Sequence, residues 1–172
     1  EKDFTKATPK QKEINYDDDL DSQDYETFYL KGSDILYTGK AFTFYKNGQK
    51  CREINFKDGK EDGNTITWYE NGKLNVESNY KDGKKDGLTV LWYKNGQKQG
   101  EANFKDGKKV GLFVTWYQNG QKESEGNFKD GKEEGLEVFW YESGQKRAEE
   151  NNKDGKGEGL AMYWHENGMK MG

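Results

Sequence analysis

One cysteine, one proline and one histidine in 172 residues remove most of the chemistry a sequence can announce. A lone Cys51 excludes any internal disulfide and reads as a tolerated, exposed thiol. His165 stands where the other repeats carry tyrosine, and no Ser-His or Cys-His set exists to build an activated nucleophile. Long hydrophobic runs are also missing: nothing approaches the ~20 apolar residues of a membrane-spanning helix, and no signal peptide is recognisable, although a start at Glu1 without methionine is compatible with removal of one. Hydrophobic residues make up 30% against 35% charged, with a mean hydropathy of -1.32. That is too polar for a two-layer core of this length, since ordinary domains are about 45–50% apolar.

What is abundant is glycine, and it keeps time. Gly48, Gly72, Gly96, Gly120, Gly144 and Gly168 recur at a step of 24, as do Gly59, Gly83, Gly107, Gly131 and Gly155, and Gly39, Gly63, Gly87, Gly111, Gly135 and Gly159. The stretch Leu88 to Gly111, LTVLWYKNGQKQGEANFKDGKKVG, is the clearest copy. A fixed period of this size marks a repeat protein, and such chains accumulate stability repeat by repeat, which reconciles low hydrophobicity with order.

Each unit carries two turn signals, Asn95-Gly96 and Asp106-Gly107 in the central copy, flanked by strand-length runs of aromatic and β-branched residues. That is a hairpin signature. The spacing predicts an all-β, single-layer, elongated and twisted antiparallel meander of stacked 24-residue hairpins. Glycine-bulge turns are expected at both corners, pairing Trp92 with Lys98. Leu88, Val90 and Trp92 then share a face with Gly100, Ala102 and Phe104, with Trp116 across from Gly96 and Leu112 across from Gly100. Trp68, Trp92, Trp116, Trp140 and Trp164 form a structural ladder at roughly 10 Å, and Gly72, Gly96, Gly120, Gly107 and Gly131 are structural turn residues. The opposite face collects Tyr69, Tyr93, Tyr117 and Tyr141 with Glu77, Glu101 and Glu125, and it is the candidate binding surface.

Residues 1–27 lack the period. They hold Pro9 and the run Asp17, Asp18, Asp19, Asp21, Asp24 and Glu26, with nine acids against four lysines through Glu26. This part reads as an acidic, partly flexible leader, with Tyr25 to Tyr29 available as a first strand. Residues 28–172 form the repeat domain, opened by a divergent capping repeat over 28–48. The sequence stops at Gly172 before a final second strand can form, so the expectation is either that it is cut short there or that the last strand is an exposed edge, which would invite self-association.

Units of the form G-x-x-x-x-W-Y-x-N-G-x-x-x-x-x-x-x-[FY]-K-D-G-K, entered through Tyr37 to Lys40, resemble the bacterial MORN variant repeats, including proteins called YwqK-type antitoxins. The resemblance runs from about Tyr25 to Gly172. It implies stacked hairpins in one sheet, a role in protein interaction or scaffolding, and location in the cell envelope or outside the cell, with the cytoplasm as the alternative. MORN repeats linked to acidic phospholipids and dimerisation have a different glycine and tyrosine layout.

No enzyme is expected and no cofactor. The glutamates recur singly, roughly 10 Å apart, too far for a retaining carboxylate pair. The aspartate run lacks the glycine and terminal glutamate of a calcium loop, so no metal is assigned. Lys57, Lys81, Lys105, Lys129 and Lys153 line one edge, but interleaved acids and a pI near 5.3 argue against nucleic acid and anionic membrane as the main partner. The expectation is a protein partner, a toxin or a surface protein. A self-associating envelope protein is the alternative, and carbohydrate or lipid binding follows behind.

Overall fold

The computed structural model describes residues 14–22, 24 and 26–172. Among the described residues the repeats and one leader strand form a single long sheet of fifteen strands, in which consecutive strands of the repeats are sheet neighbours and every pairing within the repeats is antiparallel. The meander of stacked hairpins expected from the glycine period is what the chain adopts. The central unit consists of Lys84–Trp92, Lys98–Lys105 and Lys108–Trp116.

The first corner is the expected one. Gly96 N–H donates to the Tyr93 carbonyl at 2.8 Å and Tyr93 N–H donates to the Gln97 carbonyl at 2.8 Å, closing a three-residue turn. Gly96 sits at φ +92°, a conformation a side chain strains, and Asn95 Oδ1 accepts from Gln97 N–H at 2.9 Å. Trp92 is opposite Lys98, as the sequence indicates.

The second corner corrects the expectation of a bulge there. Lys105 lies directly opposite Lys108, and both Asp106 (φ +49°) and Gly107 (φ +81°) are left-handed. This is a tight two-residue turn whose twist matches that of the strands, with aspartate tolerated at its first position.

The face assignment is also corrected. Beyond Trp92 and Lys98 the register slips by one residue, so that Leu91 pairs with Gly100, Val90 with Glu101 and Leu88 with Asn103. Gln99 is the extra residue, and a slip of one turns every following side chain to the other side. The glutamate and asparagine rows therefore share a face with Leu88, Val90 and Trp92, whereas Gly100, Ala102 and Phe104 lie on the opposite side with Thr89 and Leu91. Trp116 does not lie across from Gly96, and Leu112 faces Asn127 in place of Gly100, whose partner is Thr115. A second irregularity follows Ala102, which pairs with Phe113, whereas the next residue, Asn103, pairs with Val110.

Both long edges are stitched from repeat to repeat. Tyr69, Tyr93, Tyr117 and Tyr141 donate their hydroxyls to the carbonyls of Trp92, Trp116, Trp140 and Trp164 at 2.7, 2.7, 2.8 and 2.9 Å. At the other edge Gly83, Gly107 and Gly131 N–H donate to the carbonyls of Glu61, Lys85 and Lys109 at 2.8, 2.8 and 2.9 Å.

The part of the leader that is described is a folded cap. Ile14–Asn15 pairs in parallel with Gly39–Phe44 and covers that edge, and Leu20–Ser22 pairs with Phe28–Leu30 in a small second sheet. Tyr25 and residues 1–13, where flexibility and Pro9 were placed, lie outside the described residues. The aspartates serve local turns: Asp18 and Asp19 accept from Asn15, and Asp24 accepts from Glu26 and Thr27 N–H. Cys51, expected to be exposed, is half-buried at the bulge position of its hairpin. At the far end Met162–Tyr163 pairs with Lys146–Lys153, and Trp164 bridges to Lys170, so a last hairpin does begin to close.

Candidate binding faces

The register lays out two different surfaces. On the tryptophan face one row runs Phe42, Glu53, Ile66, Glu77, Val90, Glu101, Val114, Glu125, Val138, Glu149 and Met162, each directly opposite the next. Beside it tryptophan alternates with lysine. Lys98 pairs with Trp92 in its own hairpin, reaches to 5.4 Å from the Trp116 ring and forms a 2.7 Å ion pair with Glu101. Lys122 and Lys146 repeat the arrangement with Trp140 and Glu125, and with Trp164 and Glu149. Glu77 instead accepts from Asn64 Nδ2 at 2.8 Å. The expected candidates Glu77, Glu101 and Glu125 thus each have an intramolecular partner, and the hydroxyls of Tyr69, Tyr93, Tyr117 and Tyr141 are engaged on tryptophan carbonyls. Desolvation raises the pKa of Tyr93 and Tyr117 above the ordinary value.

The opposite, phenylalanine face is built differently. Phe56, Tyr80, Phe104 and Phe128 occupy equivalent positions, each opposite a glycine: Gly39, Gly63, Gly87 and Gly111. A ring can lie over such a strand because the facing residue has no side chain. Alongside runs a floor of small residues, Thr65, Ser78, Thr89 and Ala102, ended by Phe113. Ser78 and Thr89 are both 2% exposed and bond each other through their hydroxyls at 3.1 Å.

At its N-terminal end this face is occupied by the chain's own cap. Leu20 and Phe28 pack with Tyr37, Ala41, Ile54 and Phe56 in the main apolar cluster. Phe28 stands 5.2 Å from Phe56, and Tyr16 is 5.2 Å from Phe28 and 6.2 Å from Phe56 by ring centroids. Burial beneath the cap raises the pKa of Tyr16, against the nearby Arg52 charge. Where the cap ends, a cavity of about 400 Å³ opens, lined by Glu26, Phe28, Lys60, Glu61, Tyr80, Asp82, Gly83 and Lys84. Beyond it Lys85 Nζ stands 5.1 Å from the Phe104 ring, and Lys109 Nζ 4.7 Å from Phe128 and 5.8 Å from Phe113. Neither lysine forms an ion pair among the described residues. Burial, and secondarily the Lys109 charge, lowers the pKa of Lys85, with Glu61 opposing. The sequence contained these two lysines in plain sight, but only the true register brings them beside Phe104.

Among the described residues no group of three His, Cys, Asp or Glu side chains is placed to hold a metal ion, and no helix is long and apolar enough to cross a membrane. A single sheet of stitched hairpins, with one face carrying ion-paired rows and the other a partly occupied trough, defines a β-hairpin repeat protein. The repeat is of a known kind: the family model described as MORN repeat variant matches residues 37–58, 61–82, 85–106, 109–130 and 133–154, and the chain belongs to that family. No curated protein matches the chain in a sequence comparison. MORN repeats are generally associated with repeat proteins that bind proteins or membranes.

Proposed function

We propose that the chain is a non-catalytic protein-binding scaffold that receives its partner on the phenylalanine face. One observation carries this reading: the rows that hold the cap on the first hairpin continue through the next hairpins, with Tyr80 and Phe104 taking the place of Phe56. A surface already used to bury an aromatic segment of this chain is suited to bury one from another chain. The tryptophan face competes poorly, because its charges already have partners and exposed charges that are paired contribute little to new contacts. Neutralising a toxin, as the YwqK-type resemblance suggests, and holding a surface protein both fit a partner laid across several hairpins.

The test is affinity capture with the intact chain and two variants. Leu91→Arg alters the phenylalanine face, where Leu91 is 37% exposed, whereas Leu112→Arg alters the tryptophan face, where Leu112 is 48% exposed. One specific protein that is captured by the intact chain and by the Leu112 variant, and lost with the Leu91 variant, is expected; folding of both is checked by circular dichroism. Loss with the Leu112 variant alone would place binding on the other face and overturn the proposal.

A further inference from the structure

Resting on that reading, we infer that the trough over the second and third hairpins takes an acidic segment bearing an aromatic side chain, with the ring seated between Tyr80 and Phe104 and the carboxylates at Lys85 and Lys109. Two features of the molecule lead to this occupant.

The first is continuity with an interface the chain makes with itself. The cap places Tyr16 against Phe56, and Asp17, Asp18 and Asp19 follow at once. The cavity between Phe28 and Tyr80 begins where that cap stops, so the apolar rows are interrupted there without ending. The next ring, Phe104, lies two strands further on, about 10 Å away, which a segment of three or four extended residues spans.

The second is charge. The position in line with Phe56 is Glu61 in the first hairpin, and Arg52 ties up one of its carboxylate oxygens at 2.8 Å. The corresponding residues of the next two hairpins are Lys85 and Lys109, opposite Tyr80 and Phe104. The one after that is Glu133, opposite Phe128. The face thus changes from acid to base over two hairpins and back again. These two ammonium groups on neighbouring hairpins, Lys85 beside Phe104 and Lys109 beside Phe128 and Phe113, repel each other, and an incoming pair of carboxylates relieves that while its aromatic neighbour buries against Phe104. Phe113 closes the far end of the row of small residues formed by Ser78, Thr89 and Ala102. On the tryptophan face the lysines of the last three hairpins already have their glutamates, so an acidic segment gains nothing there.

The probe is the peptide acetyl-INYDDDLDS-amide, the chain's own residues 14–22 supplied in trans to the intact protein, followed by two-dimensional NMR. Saturable shifts are expected at Tyr80, Lys85, Ala102, Phe104 and Lys109, with binding that weakens as salt is raised. A peptide with asparagine at the three central aspartates is expected to bind about tenfold more weakly. So is the native peptide to the double variant Lys85→Gln, Lys109→Gln, at one half-buried and one exposed position, whose folding the same spectra verify. No saturable shifts, shifts confined to the tryptophan face, or equal affinity for the charged and neutral peptides would each overturn the inference. So would binding of phosphatidylserine vesicles through the same lysines in place of the peptide. A partner captured through the Leu91 surface yet indifferent to the lysine double variant refutes this occupant and leaves the scaffold reading standing. Capture through the Leu112 surface removes both.

Discussion

Two glycines on the phenylalanine face should respond to the same substitution with opposite signs. Neither Gly100 nor Gly126 has positive φ, so alanine brings no backbone strain at either. A Cβ at Gly100 would meet the Val114 carbonyl oxygen at 3.6 Å and Thr115 Cγ2 at 3.8 Å, which is ordinary contact. A Cβ at Gly126 would meet Phe113 Cε1 at 2.7 Å and Glu137 Cγ at 3.2 Å. Phe113 cannot yield freely, since its ring packs edge-on against Phe128 at 5.0 Å. Gly100→Ala is therefore expected to stabilise by roughly 0.5 kcal/mol, through the smaller entropy of the unfolded chain. Gly126→Ala is expected to cost about 1–3 kcal/mol from overpacking. Urea unfolding followed by tryptophan fluorescence, with the midpoint compared at constant slope, reads the difference. The compensating double variant Gly126→Ala, Phe113→Leu should recover much of the loss. Equal effects at the two glycines, or no recovery, would refute the placement of Phe113 over Gly126.

Other consequences concern the edges, the charges and one buried acid. Tyr93→Phe removes the donor to the Trp116 carbonyl and should lower stability by about 1 kcal/mol, while Tyr163→Phe, whose exposed side chain donates to Glu150, should cost far less in the same urea assay. Glu101→Gln should shift stability by under about 1 kcal/mol, because its ion pair with Lys98 is solvent-exposed, and high salt should shrink the effect further. Burial, then Glu133 and Glu150, raises the pKa of Glu137 above the usual carboxylate value, against Asn152 and Lys109. The folded state therefore favours the protonated acid, so the contribution of Glu137 is most favourable below the unfolded pKa and is lost as pH rises through the folded one. Glu137→Gln should accordingly stabilise at pH 7 and change little below pH ~4, the ordinary carboxyl range, as measured by thermal unfolding across pH.

The hairpin, its period and its first corner were legible because Asn95-Gly96 and Trp92 carry local signals that nothing distant overrides. The faces were not. Gln99 is an ordinary polar residue, and a bulge at that point leaves no mark in composition, yet it transfers Glu101 and Asn103 to the tryptophan side. Because the period of 24 is even, all copies share one parity, so a single unseen slip misplaces the second strand of every repeat at once while the pattern stays self-consistent. At the second corner Asp106-Gly107 suits either of two turn types, and the pairing of Lys105 with Lys108 decides between them. The cap was hidden for another reason: Ile14, Tyr16, Leu20 and Phe28 are spread through an acidic stretch, and their apolar character has meaning only against Ala41, Ile54 and Phe56. The trough inherits both difficulties, since it needs the true register to bring Lys85 beside Phe104 and the cap to show what such a surface holds.

Site-specific photocrosslinking puts the choice of face to the most direct test. A benzoylphenylalanine at Phe104 and another at Leu112 present the same reactive group to opposite sides of the sheet, in chains otherwise intact. The partner isolated with the wild-type chain should crosslink through position 104 and not through 112. Crosslinking through position 112 alone would contradict the account.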